Sequence, residues 1–248
     1  MIAVRTFGSG SAGNAYWITD EPQGGGSALL LECGLPWDDI REASHYATWA
    51  LDGVLVSHAH QDHARGVVDA VNSGVPCYMS GVAQSTVGVL GWRRVGLPDL
   101  RHAQKIGSWR VRAFPVEHDS PGTLGFVIAG PSGESLVYVG ETPYCRQRFA
   151  SPEIFMVEAN YSDADLTRRQ AAGEIDDEQA HRLRRAHMSL ETALRLLAAN
   201  DLSKTRQIIL CHLSDRHADA EAFAAAVRRQ TGKPVEVAPA WRSREVAR

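Results

Sequence analysis

Four side chains that could bind a metal ion lie within six residues of one another, directly after an apolar stretch. Residues 53–56 have the length and composition of a buried strand, and the side chains that follow are His58, His60, Asp62 and His63. Imidazole and carboxylate groups suit zinc and its first-row neighbours. His58 and His60 can converge on one ion from an extended loop. Asp62 and His63 begin a helical stretch (64–72) and point toward a second ion, so the sequence predicts a two-metal site for hydrolysis.

The segment 58–63, read with the preceding strand, resembles the signature of the metallo-β-lactamase fold hydrolases. That resemblance implies an α/β fold, a four-layer αββα sandwich, here expected as a single domain over residues 1–248. It also implies three further ligands, at positions held here by His118, Glu141 and His212. One ion is then expected on His58, His60 and His118. The other is expected on Asp62, His63 and His212, with Glu141 bridging the two.

Two acids depart from the pattern of that family. Glu32 and Glu141 stand where the family usually has aspartate, and each is one methylene longer. By the resemblance, Glu32 orients a metal-bound histidine from behind, and Glu141 spans both ions. The expected cofactor is a pair of divalent cations, zinc in the first place and manganese as the alternative.

Three segments also resemble the bacterial YycJ-like (WalJ-like) branch: residues 8–14, 158–160 and 187–189. Glycine and asparagine supply the positive φ angles of a hairpin turn, so residues 8–14 alone are equally consistent with a plain turn. The resemblance favours a phosphate cradle and implies 5′-to-3′ exonuclease action on DNA. We expect Asp62 to accept a proton and His187 to donate one to the leaving group or hold a phosphate oxygen. The expected substrate contacts are Ser9, Ser11, Asn14, Asn160 and Ser214.

Composition limits the partners of the chain. The net charge is −3, so a nucleic acid would need a local basic surface. Residues 163–185 are highly charged. In the second half of this segment the acids come first and Arg182, Arg184 and Arg185 come last, which matches a helix dipole; these arginines either face a phosphate or are merely solvated. The four scattered cysteines contain no CxxC pair, which argues against a disulfide framework.

With no leader or membrane-length apolar run, we expect a cytoplasmic protein that does not enter a membrane. The sequence does not indicate an oligomeric state.

Three functions are compatible with these residues. The first is a metal-dependent phosphodiesterase or nuclease. The second is a small-molecule hydrolase acting on a cyclic phosphodiester, lactone or thioester, which the slight acidity favours. The third is a metal-binding protein with weak activity, suggested only by the lengthened acids Glu32 and Glu141. Since one fold supports many chemistries, the substrate has to be argued from the site.

Overall fold

The computed structural model describes residues 1–20, 27–96 and 98–241 of the 248-residue chain. The chain divides into two compact units. Unit 1 is built from Met1–Pro115, Ser120–Ser135 and the chain from Ala238 onward, and unit 2 from Val116–Asp119 and Leu136–Val237. Within the described ranges, no helix has both the length and the apolar character needed to cross a membrane.

Unit 1 contains a six-stranded sheet whose spatial order follows the chain. Its strands are β1 (Ile2–Gly8), β2 (Ala15–Asp20), β3 (Ala28–Leu31), β4 (Leu51–Leu55), β5 (Cys77–Tyr78) and β6 (Val95–Gly96). The first two pairings are antiparallel and the later ones parallel. Because β3 and β4 run parallel, their carboxyl ends meet at one sheet edge, which brings together Glu32 and the segment from Ser57.

The helices of unit 1 are short. They are α1 (Trp37–Ala43), a 3-10 helix (Ala47–Ala50), α2 (Gln61–Ala64), α3 (Val67–Asn72) and α4 (Gly81–Val87). The helical stretch predicted over 64–72 is divided between α2 and α3 at Gly66. A Cβ at Gly66 would lie 2.7 Å from the Leu35 carbonyl oxygen and 2.9 Å from Cys33 Sγ, so the close approach requires glycine here. The division leaves Asp62 and His63 on the single turn of α2.

An antiparallel meander completes unit 1: β7 (Gln104–Ile106), β8 (Trp109–Pro115) and β9 (Leu124–Ala129). Along β8, Trp109, Val111 and Ala113 are buried while Arg110 is exposed, which is the alternation expected of a strand with one covered face. After Pro115 the chain enters unit 2, and His118 lies in that short segment.

Unit 2 contains four parallel strands in the spatial order β13, β12, β11, β10. In chain order they are β10 (Ser135–Val139), β11 (Ile154–Glu158), β12 (Gln207–Cys211) and β13 (Val235–Val237). Every position of β11 is buried, as is typical of a parallel strand covered on both faces. The ends of β10, β11 and β12 deliver Glu141, Glu158 and His212 to one edge, the edge where parallel sheets commonly bind ligands.

Four helices belong to unit 2: α5 (Asp163–Ala171), α6 (Asp177–Ala186), α7 (Leu190–Ala198) and α8 (Ala220–Thr231). The charged segment 163–185 forms two helices, α5 and α6, because the chain turns at Gly173, whose φ is +71°. Ser189 caps α7, because its hydroxyl accepts a hydrogen bond from the Thr192 amide in the first turn of that helix.

Glu191 of α7 caps the neighbouring helix α5. Its carboxylate accepts hydrogen bonds from the Asp163 amide (2.9 Å) and the Ser162 hydroxyl (2.9 Å). Burial alone would raise the pKa of Glu191, but these hydrogen bonds outweigh it and lower the pKa from 4.5. Since the folded-state pKa is the lower one, the stabilisation is complete above pH 4.5 and lost as pH falls through the folded-state value.

We therefore expect Glu191→Ala to lower the free energy of unfolding by about 1 kcal/mol at neutral pH. Urea unfolding of both proteins at neutral pH and at about pH 3 checks this, because the two curves should converge in acid. A difference that is the same at both pH values would show that the carboxylate charge does not make the cap.

Candidate metal centre

In unit 1, the histidines of the motif converge. His58 Nε2 and His60 Nδ1 lie 3.0 Å apart. Two nitrogens bound to one tetrahedral zinc ion are roughly 3.3 Å apart, so the pair needs little adjustment to share an ion. The His58 side chain is buried, and its Nδ1 lies 2.9 Å from the Ser57 hydroxyl. A proton held on Nδ1 by that hydroxyl makes Nε2 the ring nitrogen whose lone pair can bind a metal ion.

The His63 ring contacts a buried carboxylate, that of Glu32. Its Nδ1 lies 3.3 Å from Glu32 Oε2, and both side chains are fully buried. The same Glu32 oxygen accepts a hydrogen bond from the Ser57 amide at 3.2 Å. Glu32 has φ 62°, which is strained for a residue other than glycine, and strain of this kind is often kept where a side chain must be aimed. These contacts are the ones that the orienting role predicted for Glu32 requires.

The turn after β1 packs against the metal motif. The side-chain amide nitrogen of the buried Asn14, Nδ2, donates a hydrogen bond to the Asp62 carbonyl at 3.0 Å and lies 3.1 Å from His63 Nε2. Ser9 is also buried, with its hydroxyl 2.8 Å from the Tyr16 hydroxyl, whereas Ser11 is exposed. Asn14 thus holds α2 in place. Contact of Ser9, Ser11 or Asn14 with substrate stays a prediction.

In unit 2, Glu141 lies between two imidazoles. Its Oε2 is 3.0 Å from His118 Nε2 and its Oε1 is 2.8 Å from His212 Nε2. One carboxylate oxygen for each imidazole is the arrangement that a bridging acid needs. Burial alone would lower the pKa of His118, but the hydrogen bond and charge of Glu141, with the Ala186 carbonyl and Asp119, raise it above its usual value. Neighbours that stabilise a proton on His118 would stabilise a metal cation in the same way.

Glu158 is the site residue that the sequence analysis missed. It is fully buried, its Oε1 is 2.7 Å from His187 Nδ1 and 3.5 Å from His212 Nδ1, and its Oε2 accepts hydrogen bonds from the Thr142 and Met188 amides. Burial alone would raise the pKa of Glu158, but the charges and hydrogen bonds of the two histidines lower it from 4.5. The carboxylate is therefore ionised at neutral pH and fixes both rings.

His187 and His212 are neighbours in unit 2. Their rings stack with centroids 5.4 Å apart, and the His187 ring is 5.9 Å from that of His118. His212 has φ 53° directly after β12. Its backbone carbonyl accepts a hydrogen bond from the side-chain amide of Asn160, Nδ2, at 2.9 Å. The Ser214 amide donates to the Asn160 carbonyl at 3.0 Å. Asn160 therefore supports the His212 loop, and substrate contact by Asn160 or Ser214 stays a prediction.

The donor atoms of both units fit divalent cations. Burying ionised carboxylates beside imidazoles is costly unless a positive charge compensates, and imidazole nitrogen with carboxylate oxygen is a common zinc ligand set. Within unit 2, Glu158, His187 and His212 also offer ligand atoms within 4.8 Å of one another. The Glu158 atoms are already occupied by backbone amides and ring nitrogens, so a positioning role suits Glu158 better than a metal bond.

Comparison with known proteins identifies the family of the chain. Residues 36–213 match the model of the beta-lactamase superfamily domain. A ribonuclease Z from Bradyrhizobium diazoefficiens is 22% identical over 82% of this chain and 85% of its own length. The exodeoxyribonuclease WalJ of Streptococcus pneumoniae is 23% identical over 83% of this chain and 79% of its own length.

The fold has a close match among solved structures. The metallo-beta-lactamase fold protein YhfI from Bacillus subtilis superposes with a TM-score of 0.69 at 16% sequence identity, covering 96% of this chain and 97% of YhfI. This match confirms the predicted α/β fold class, the metallo-β-lactamase fold.

Proposed function

The chain belongs to the beta-lactamase superfamily, and on that basis we propose that it is a metal-dependent phosphodiesterase that cleaves nucleic acid. The observation that carries the proposal is Glu141, buried with one oxygen on His118 and the other on His212. An acid in that position suits a pair of ions, and paired ions are typical of phosphatases and nucleases. The two curated relatives are named as nucleases, which supports the same substrate class.

We assign the ligands as the sequence predicts them. One ion would be held by His58, His60 and His118, and the other by Asp62, His63 and His212, with Glu141 shared. When bound, divalent cations supply an acidified water for attack on phosphorus and stabilise the negative charge that develops there. Zinc suits the imidazole-rich donor set, and manganese is the alternative.

The remaining steps belong to side chains of this chain. The Asp62 side chain is partly exposed and accepts the proton released from the attacking water. Glu158 accepts the hydrogen bond of His187 Nδ1–H, which fixes the ring and leaves Nε2 as the atom that exchanges a proton with the leaving oxygen. Glu32 and Glu158 thus have matching tasks, because each holds histidines in the orientation that catalysis needs.

Hydrolysis assays with zinc and with manganese test the proposal. We expect cleavage of a 5′-labelled DNA or RNA strand and of bis(p-nitrophenyl) phosphate, abolished by EDTA. His187→Ala should lower turnover by about 100-fold or more while the metal content stays normal, since general acid catalysis contributes about that much. Turnover of a lactone or thioester alone would instead indicate a small-molecule hydrolase. Full metal loading without turnover of any substrate would leave only a metal-binding protein.

A further inference from the structure

A cleft of about 580 Å³ in unit 2 lies beside His118. It is lined by the segment Glu117, His118 and Asp119, by Pro143, and by residues along α6 from its first turn to its end. The Ala186 carbonyl at the end of α6 lies 2.8 Å from His118 Nδ1, which fixes the helix against this proposed metal ligand. The cleft therefore lies next to a proposed metal ligand, and its volume is that of an ordinary ligand site.

A single face of α6 lines the cleft. Glu178, His181, Arg182 and Arg185 all border it and are exposed, and their spacing of three, four and seven residues is that of one helical face. Arg184, which also borders it, is held toward α5 by Gln170 and Thr167. Two arginine side chains, Arg182 and Arg185, thus remain on the cleft face, one turn apart.

Two of the three acids around the cleft have partners, whereas these two arginines have none among the described residues. Asp119 lies 3.0 Å from His118 Nε2, and Glu117 lies 4.0 Å from Arg146. Glu178 stands in the first turn of α6, where the helix dipole favours an acid. Among the described residues, Arg182 and Arg185 form neither an ion pair nor a side-chain hydrogen bond. Their guanidinium groups are thus available to an external anion, and their planar fork matches phosphate.

We propose that this cleft is a subsite for the backbone of a nucleic acid strand, in which Arg182 and Arg185 bind a phosphate next to the one that is cleaved. The inference rests on the proposed function and deepens it, because it makes the substrate a polymer with neighbouring phosphates. A chain with a net charge of −3 needs a local basic surface to bind a nucleic acid, and the two arginines on one face of α6 supply that surface.

Fluorescence anisotropy with a labelled single-stranded oligonucleotide in EDTA measures binding without cleavage. We expect the double variant Arg182→Ala/Arg185→Ala to bind at least about tenfold more weakly, because the loss of a hydrogen bond to a charged group weakens binding by about that factor or more. The slope of log affinity against log salt should fall by about 1.4, from two lost contacts on a single strand. The ratio of kcat/KM for the oligonucleotide to that for bis(p-nitrophenyl) phosphate should fall by a similar factor.

The matched control is Arg168→Ala/Arg229→Ala, which also removes two positive charges, but from exposed positions on α5 and α8. It should bind as the wild type does. If the cleft variant keeps wild-type affinity and salt slope, or if the control loses as much, the subsite does not exist. Wild-type protein that binds the strand through these arginines but hydrolyses no phosphodiester would overturn the proposed function and leave the binding site standing.

Discussion

Replacing Glu141 with alanine is expected to release at least one metal ion from each chain and to lower phosphodiester hydrolysis by about 100-fold or more. The buried carboxylate places one oxygen 3.0 Å from His118 Nε2 and the other 2.8 Å from His212 Nε2. Its removal withdraws negative charge from both proposed ions together. Elemental analysis of the purified variant, with turnover of bis(p-nitrophenyl) phosphate, measures the two effects.

Glu141→Gln separates charge from shape, because glutamine fills the same space without the negative charge. It should fold as the wild type does yet bind metal at least about tenfold more weakly. Glu221→Gln, at an exposed position in the first turn of α8, is the control for the loss of one acid from unit 2. If Glu141→Ala keeps both ions and near-normal hydrolysis, Glu141 does not bridge and only ends its strand.

Replacing Glu158 with alanine should have the largest effect on stability. The fully buried carboxylate contacts two histidines and accepts two backbone hydrogen bonds, from Thr142 and Met188. Breaking a buried charged pair by removing one partner costs about 3–5 kcal/mol. Urea unfolding of the variant should show a loss of that size in the free energy of unfolding.

Glu158→Gln keeps the volume and one accepting oxygen, so it provides a variant that folds. We expect it to retain most of the stability but to lower kcat by about 10–100-fold with little change in KM, because His187 loses the charge that orients it. Exposed Glu221→Ala serves as the control for stability. A Glu158→Ala protein that unfolds at the wild-type urea concentration would rule out the role of the carboxylate as the support of both rings.

The residues that follow strands were accessible to sequence reasoning. His118 and His212 come soon after apolar or alternating segments, and Glu141 comes after another, so strand periodicity together with the family resemblance predicts all three as ligands. Pairing of strands then places Glu141 and His212 at one edge. The contact of Glu32 with His63 follows from the same logic, since parallel β3 and β4 end side by side.

The sequence does not predict Glu158 as a site residue, and the reason is physical. It is the last residue of an apolar strand that is buried at every position, and an ionised side chain there is unfavourable unless partners surround it. Those partners, His187 and the Met188 amide, are about thirty residues further along the chain. The Glu-x-Asn pattern at 158–160 was the available signal, but it directed attention to Asn160.

Two boundaries also depended on packing that local sequence does not show. Gly66 divides the stretch 64–72 because its backbone approaches Cys33 and Leu35, which are distant in sequence. The edge strand β6 has only two residues, Val95–Gly96, in a segment that carries no strand pattern. Strands this short form because a neighbouring strand supplies the hydrogen bonds, here β5.

X-ray diffraction from crystals grown with zinc, recorded on both sides of the zinc absorption edge, tests the central claim most directly. We expect two anomalous peaks per chain, with zinc–nitrogen distances of about 2.0–2.1 Å. One peak should be bonded to His58, His60 and His118, and the other to Asp62, His63 and His212, with Glu141 contacting both. The absence of a peak at these side chains in zinc-loaded crystals would contradict the account, and a single peak would withdraw the two-metal mechanism.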